Sequence, residues 1–330
     1  MKAAVVSSFG AAPRYAEFPA PAPAGDHDMI LDVIAAGLHP RVRSQADGSH
    51  YTSTGELPLV PGIDGVGRGP DGLLRYFVLP DTRLGAMAEQ TVIDTRRSIV
   101  LPAGSDPIAV AAAMNPAMSS WIALRQRVPF QPGQDVLVLG ATGHAGRLAV
   151  QVARLLGAGQ IIAAGRDATR LAALPALGAT GTVSLGGDAG HARQLGQAAA
   201  DVDVVLDYLW GQPAAEAMAA IVTGRADRGQ PLTWIAIGSV AGPSAPVPSA
   251  ALRAARLQIV GSGQGSVSTG EILAELPALA DHITSGTFRI DARPMPLTEV
   301  EQAWADAPHT AQRLVLTPRE AFGEGRRGLR

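Results

Sequence analysis

Three glycines carry the first chemical possibility in this chain. Residues 136–151 read VLVLGATGHAGRLAVQ. The four aliphatics of 136–139 predict a buried parallel strand, and the apolar pattern from Arg147 predicts a helix to about Leu156. A strand, a glycine turn and a helix N-terminus make a site for a dinucleotide pyrophosphate, because the unpaired helix N–H groups face the anion. Gly143 would let the backbone approach the phosphates, and Gly146 would let the helix lie against its strand. The candidate phosphate-binding residues are therefore Gly140, Ala141, Thr142, Gly143, His144, Ala145 and Gly146. The wording departs from G-x-G-x-x-G in one place, since Ala141 stands where the first glycine belongs. A plain βα turn is the competing reading.

The next strand decides which dinucleotide fits. In an NAD-selective site a carboxylate about twenty residues past the turn grips the ribose 2′-hydroxyl. Here residues 161–167 read IIAAGRD. Gly165 at the strand tip brings no acid, and Arg166 follows at once. The missing carboxylate removes repulsion of a 2′-phosphate, and a guanidinium offers it planar, charge-assisted bonds. Arg170 lies one helical turn on and faces the same pocket in this reading. The expected cofactor is NADPH. Two solvated arginines at a helix start, or Asp167 on a ribose, are the alternatives.

These residues need a frame to hold them. Strands are expected at 135–139, 160–164, 182–185, 202–207 and 232–237, alternating with helices at 147–156, 168–176, 191–199 and 213–222. That alternation means a parallel, doubly wound sheet with right-handed crossovers. A further strand at 257–261 closes it. The first hundred residues read differently, with short strands at 2–6, 29–34, 65–67, 73–78 and 90–93 split by Gly, Pro and Asp turns. Helices follow at 108–114 and 116–127, the second with Pro116 in its first turn. After the sheet come a helix at 269–285 and short strands near 288–289 and 313–316. The Gly/Arg-rich tail after Pro318 reads as frayed.

Bulk properties narrow the function. The chain has 330 residues, 47% apolar and 17% charged, with a net charge of −2. That is a globular protein long enough for two cores, with no electrostatic case for nucleic acid or a membrane surface. No 18-residue apolar run or signal peptide is read, so a cytoplasmic protein is expected. There is no cysteine. Disulfides, thiol catalysis and thiolate zinc sites are thereby excluded. No G-x-S-x-G elbow and no P-loop lysine point to a hydrolase or an NTPase.

The chain resembles the zinc-free quinone oxidoreductase branch of the medium-chain dehydrogenase/reductase superfamily. The resemblance is carried by AGLHP at 36–40, LVPGIDGVG at 59–67, GAMAE at 85–89, the turn 140–146, DVVLD at 203–207, IGS at 237–239 and GSG at 261–263. It implies an α/β protein with a GroES-like β-rich catalytic domain from residues 1–117 and 263–330. A Rossmann dinucleotide-binding domain, residues 118–262, is inserted between them, with the active site in the cleft. It also implies a homodimer through strands like 257–261. Zinc-dependent relatives place a metal-binding Cys where His39 stands and a His-Glu pair where Ile63 and Asp64 stand. An isoleucine cannot bind zinc, and no metal is expected.

Without a Lewis acid, an alcohol–ketone reaction lacks its usual oxygen polariser. Hydride addition to a quinone or an α,β-unsaturated carbonyl needs only hydrogen bonds to the carbonyl oxygen and a proton. The resemblance makes Tyr51 the first candidate for carbonyl donor or proton source. It places His39 near the nicotinamide, as a donor to substrate or cofactor or as a structural histidine. Asn115 is a candidate for the substrate cleft or a helix cap. Asp207, Tyr208 and Trp210 sit at a strand end, where a doubly wound sheet has its crevice. Tyr208 and Trp210 would wall the nicotinamide pocket or simply pack there. Gly238, Ser239, Ser262 and Gly263 would offer backbone groups to the nicotinamide. The expected function is an NADPH-dependent, zinc-independent reductase of quinones or enones. The rivals are a non-catalytic NADPH-binding protein and a zinc alcohol dehydrogenase.

Overall fold

The computed structural model describes residues 1–50, 52–186 and 190–318. The chain forms two compact units, Met1–Asn115 with Leu276–Arg330, and Pro116–Glu275. The sequence reading divided the chain at 117/118 and 262/263. The units divide instead inside two helices, Pro107–Ile122 and Thr269–Thr284, each of which contains an internal proline. The two helices expected at 108–114 and 116–127 are thus one helix followed by a π-turn at Ala123–Arg127. Pro116 lacks an N–H and weakens the ladder there without ending it. By length and composition Pro107–Arg127 would pass for a membrane span, although the sequence reading found none. Most of it is buried inside the protein, as a core helix is.

The first unit is β-rich. A seven-stranded sheet runs in the order Ala292–Pro296, Arg313–Thr317, Asp28–Gly37, Asp64–Arg68, Leu74–Val78, Ser98–Val100, with Gln90–Asp94 also paired to Asp28–Gly37. Strands from both chain ends meet where Arg313–Thr317 pairs antiparallel with Asp28–Gly37. This is the GroES-like unit that the resemblance implied. Residues 288–289 are no strand; Gly286 turns the chain at φ +72° and Phe288 is a buried anchor just ahead of the real strand. A short helix, Pro40–Ala46, was also not anticipated. It starts directly after His39, with Pro40 in its first position, where proline's missing N–H costs nothing.

The second unit is a Rossmann fold. Six parallel strands lie in the order Gly181–Ser184, Ile161–Gly165, Val136–Leu139, Val204–Asp207, Leu232–Ala236, Leu257–Gly261. In chain order this is 3-2-1-4-5-6, with the topological switch between the first and fourth strands. Val136–Leu139 and Val204–Asp207 are buried at every position, which is why both read as unbroken aliphatic runs. Helix His144–Leu155 follows the first strand, and Gly211–Gly224 follows the fourth. Leu257–Gly261 is a sheet edge that pairs only with Leu232–Ala236 among the described residues.

Candidate active site

All six strands of the Rossmann unit are parallel, so the residues that follow them gather at one edge of its sheet. There the turn 140–146 takes a shape that only its glycines permit. Gly140 sits at φ +86°, a left-handed conformation that L side chains resist. Its N–H and that of Ala141 both donate to Ala164 O at 2.9 Å, which ties the turn to the second strand. A Cβ at Gly146 would lie 2.3 Å from Gly140 O and 2.6 Å from Ala141 Cα. Gly146 is therefore obligatory for helix–strand contact. A Cβ at Gly143 would meet only Gly140 O, at 3.4 Å. That space is what a ligand approaching the backbone needs.

Helix His144–Leu155 begins with Gly143 as its cap residue, with no side-chain cap and no acid in its first turn. The first hydrogen bond of the helix is Arg147 N–H to Gly143 O at 2.9 Å, so the N–H groups of 144–146 precede it. Together with the open Gly143, this N-terminus fits a dinucleotide pyrophosphate. Thr142 leans on the second strand: a Cβ at Gly165 would be 2.5 Å from Thr142 Cγ2.

At the tip of that strand Arg166 is exposed and makes no ion pair among the described residues. Arg170 is placed differently. Its Nε lies 3.2 Å from an Asp167 carboxylate oxygen, and the other oxygen of Asp167 accepts the Arg170 N–H at 3.0 Å. Asp167 thus caps helix Ala168–Ala173 and holds Arg170.

After the fourth strand, Asp207 is wholly buried. One oxygen accepts from the N–H groups of Leu209 at 2.8 Å and Trp210 at 3.0 Å, and the other from Trp234 Nε1 at 2.9 Å. Burial pushes its carboxyl above the ordinary range, opposed by these donors. Asp207 folds the turn that presents Tyr208 and Trp210, with its own oxygens occupied. Tyr208 is buried, and its hydroxyl lies 2.9 Å from Ser119 Oγ. Burial pushes the phenol up to about 12. Trp210 is half-buried at φ 52°, ψ −159°, a region that normally belongs to glycine, and is the one non-glycine at positive φ among the described residues.

The four residues expected to offer backbone groups divide unevenly. Gly238 N–H goes to Asp207 O, Ser262 N–H to Ala236 O, and Gly263 N–H to Ser266 Oγ. Those N–H groups are spent inside the fold, and only Ser239 keeps its own uncommitted among the described residues. Gly238 has a packing role as well, since a Cβ there would come within 2.7 Å of Tyr208 O. Asn115 lies inside helix Pro107–Ile122 and is half-buried, so it caps no helix at Pro116.

In the first unit, His39 and Asp64 are brought together. His39 Nε2 lies 2.9 Å from Asp64 Oδ1, and Tyr76 donates its hydroxyl to Asp64 Oδ2 at 2.8 Å. All three are buried. Arg313 closes the group, donating Nη1 to Leu38 O at 3.0 Å, while its Nε has no partner among the described residues. Burial lowers Arg313 to about 10 against the pull of Asp64. Sequence reading paired neither Tyr76 nor Arg313 with this site. Tyr76 is one buried strand residue among several, and Arg313 is 249 positions from Asp64. Tyr51 lies outside the described residues. Its neighbours His50 and Thr52 are joined by a 2.8 Å bond, and Arg41 reaches both Thr52 and Asp81. Among the described residues no three His, Asp or Glu side chains form a metal-holding group.

No family model matches the chain. The probable NADPH-dependent quinone reductase tdiC of Emericella nidulans is 31% identical over 359 aligned residues, covering 96% of this chain and 100% of tdiC. The solved quinone oxidoreductase of Thermus thermophilus, also solved with NADPH, is 26% identical at a TM-score of 0.79, covering 96% of this chain and 100% of that one. The 2-methylene-furan-3-one reductase of Solanum lycopersicum is 26% identical over 170 residues, covering 47% of this chain and 44% of that protein. The chain belongs to the quinone oxidoreductase branch of the medium-chain dehydrogenase/reductase superfamily.

Proposed function

We propose that this protein is an NADPH-dependent, zinc-independent reductase of quinones or α,β-unsaturated carbonyls. The observation that carries the reading is the exposed Arg166 after the second strand, with Asp167 committed to Arg170 and the helix cap, beside the uncapped, glycine-cradled helix N-terminus. The full-length relative named for NADPH-dependent quinone reduction supports it, as does the shorter match to a furanone reductase.

A bound NADPH supplies a hydride from its nicotinamide. The protein's residues do the rest. The N–H groups of 144–146 would hold the pyrophosphate, and Arg166 would hold the 2′-phosphate. Asp167 keeps Arg170 beside them in a fixed rotamer. Asp207 shapes the 208–210 turn, whose Tyr208 and Trp210 would wall the nicotinamide, while Ser239 would offer an N–H and Asn115 a substrate contact. The charge that reduction places on the substrate oxygen is met by donors, His39 and Tyr51. Zinc-independence is supported by donor chemistry: Ile63 has no ligating atom, and both oxygens of Asp64 already accept hydrogen bonds.

The protein is further proposed to be cytoplasmic and homodimeric. The edge strand Leu257–Gly261, with exposed Gln258 and half-buried aliphatics, supports pairing of two copies. Titration with NADPH and NADH, followed by a panel of quinones and enones monitored by NADPH absorbance, tests the whole reading. Tighter NADPH binding with turnover is expected. Equal affinity for both nucleotides overturns the cofactor assignment. Binding without turnover of any acceptor makes the protein a non-catalytic nucleotide binder.

A further inference from the structure

The His39–Asp64–Tyr76 group is a buried polar chain that the nucleotide site does not explain. Asp64 opens strand Asp64–Arg68, and Tyr76 lies in Leu74–Val78, the strand antiparallel to it. The aspartate has two donors and no exposed surface, since its side chain is 0% exposed. Tyr76 remains a donor, because burial and the neighbouring Asp64 hold its phenol far above the usual range. With Oδ2 committed to Tyr76, Oδ1 faces His39 Nε2. A carboxylate accepts and does not donate, so Nε2 carries the proton. Nδ1 bonds to nothing among the described residues. Arg313 fixes the backbone from which His39 projects, through the Leu38 carbonyl.

We propose that Asp64, braced by Tyr76, is the positioning residue that selects the tautomer of His39 and leaves Nδ1 as its working atom. The proposal rests on the reading of His39 as a donor to the substrate oxygen, adds that it passes a proton there, and names what sets that donor. Neutral His39 held this way presents a lone pair at Nδ1 and can only accept. Protonated His39 presents Nδ1–H and donates to the substrate oxygen. In the reduction, the N–H bond at Nδ1 breaks as an O–H bond forms, and the N–H electron pair stays on the ring. The two reducing electrons are those of the hydride that NADPH supplies. The ring is left neutral with Nε2–H still on Asp64, and water returns the proton. The charged and titratable groups placed at this cluster are Asp64, Tyr76 and Arg313. Arg313 offsets the Asp64 charge, so the chain acts through hydrogen-bond direction as well as charge.

The test reads the full-length protein twice. Nitrogen-15 NMR of the imidazoles, with His39→Gln assigning the signal, reports which ring nitrogen of neutral His39 carries hydrogen. The Nε2–H form is expected, and an Nδ1–H form overturns the proposal without any turnover being measured. In Asp64→Asn the amide can meet either ring form, so a mixed or inverted tautomer is expected. Its kcat should fall on the order of 10–100-fold, with KM and the NADPH Kd within about twofold. Tyr76→Phe, which keeps the carboxylate, should show a smaller kcat loss and partial loss of the tautomer preference. Glutamate at 64 should restore more of the rate than asparagine. Wild-type kcat in Asp64→Asn, or KM, Kd and kcat all worsening with the tautomer intact, would reduce Asp64 to a structural residue. A wild-type protein with the Nε2–H ring and no turnover would overturn the reductase reading alone. If Asp64→Asn does not fold, the wild-type tautomer and Tyr76→Phe decide.

Discussion

The glycine turn at 140–146 and the His39 group are built in opposite ways. The turn 140–146 is made of backbone: it leaves a helix start without a side-chain cap, and its glycines keep side chains out of the space around it. The His39 group is made of buried side chains from four separate strands or strand ends: His39, Asp64 and Tyr76 are bonded to one another, and Arg313 to the Leu38 carbonyl. A backbone site tolerates any neighbour that keeps the path clear. A buried side-chain site tolerates almost nothing, because each polar group is satisfied by one particular partner. The two regions therefore differ in how they should break.

The largest break is expected at the side-chain site. Asp64→Ala leaves the Tyr76 hydroxyl and the Arg313 cation without their counterpart, and stability should drop by about 3–5 kcal/mol in chemical denaturation. A loss below about 1 kcal/mol would mean that the group is wetter than it looks. Next is the packing glycine. Gly146→Ala forces a methyl 2.3 Å from Gly140 O and should cost about 2–3 kcal/mol together with most NADPH binding. Gly143→Ala sharpens the contrast. It should keep stability within about 0.5 kcal/mol while weakening NADPH roughly tenfold, read by protein fluorescence.

Arg166→Ala comes third. NADPH affinity should fall about 10–30-fold, or roughly 1.5–2 kcal/mol, while NADH affinity stays level. An equal loss for both nucleotides would place the guanidinium on something common to them. The smallest effect concerns His50, which burial and then Arg41 lower from 6.5 to about 4. Below 6.5 the unfolded chain binds a proton that the folded chain refuses. The stability this contributes is present above 6.5 and is lost as pH falls toward about 4. His50→Gln should remove about 1 kcal/mol of that acid-side loss, a modest figure because the ring is partly open to water. Thermal melts at pH 7 and pH 4.5 measure it.

The same contrast explains what could be read from the sequence. The turn was legible residue by residue, because backbone geometry demands particular types at fixed spacing: Gly140 takes a left-handed turn and Gly146 lets the helix meet its strand. The alternating strands and helices of the Rossmann unit were legible for the same reason. The His39 group was legible only as separate letters. His39 and Asp64 were noticed, but Tyr76 and Arg313 join them through strand pairing, which leaves no local signature. The sequence puts Asp207 at a strand end by the crevice but does not reveal the bonds its oxygens accept from Leu209, Trp210 and Trp234, which depend on the folded turn and the neighbouring strand. Asn115 looked like a cap because proline so often opens a helix, and here Pro116 sits within one.

Trp210 has a consequence for how this protein can change. It holds a glycine's conformation at about 1–3 kcal/mol, and its half-buried indole returns a similar amount through packing. Replacing it with glycine gives up the packing and recovers the strain, so the two terms nearly cancel and the melting temperature should barely move. A site whose side chain can be exchanged at almost no net cost in stability is open to drift. Position 210 is therefore a place where the side chain can change by mutation and selection while the fold stays intact.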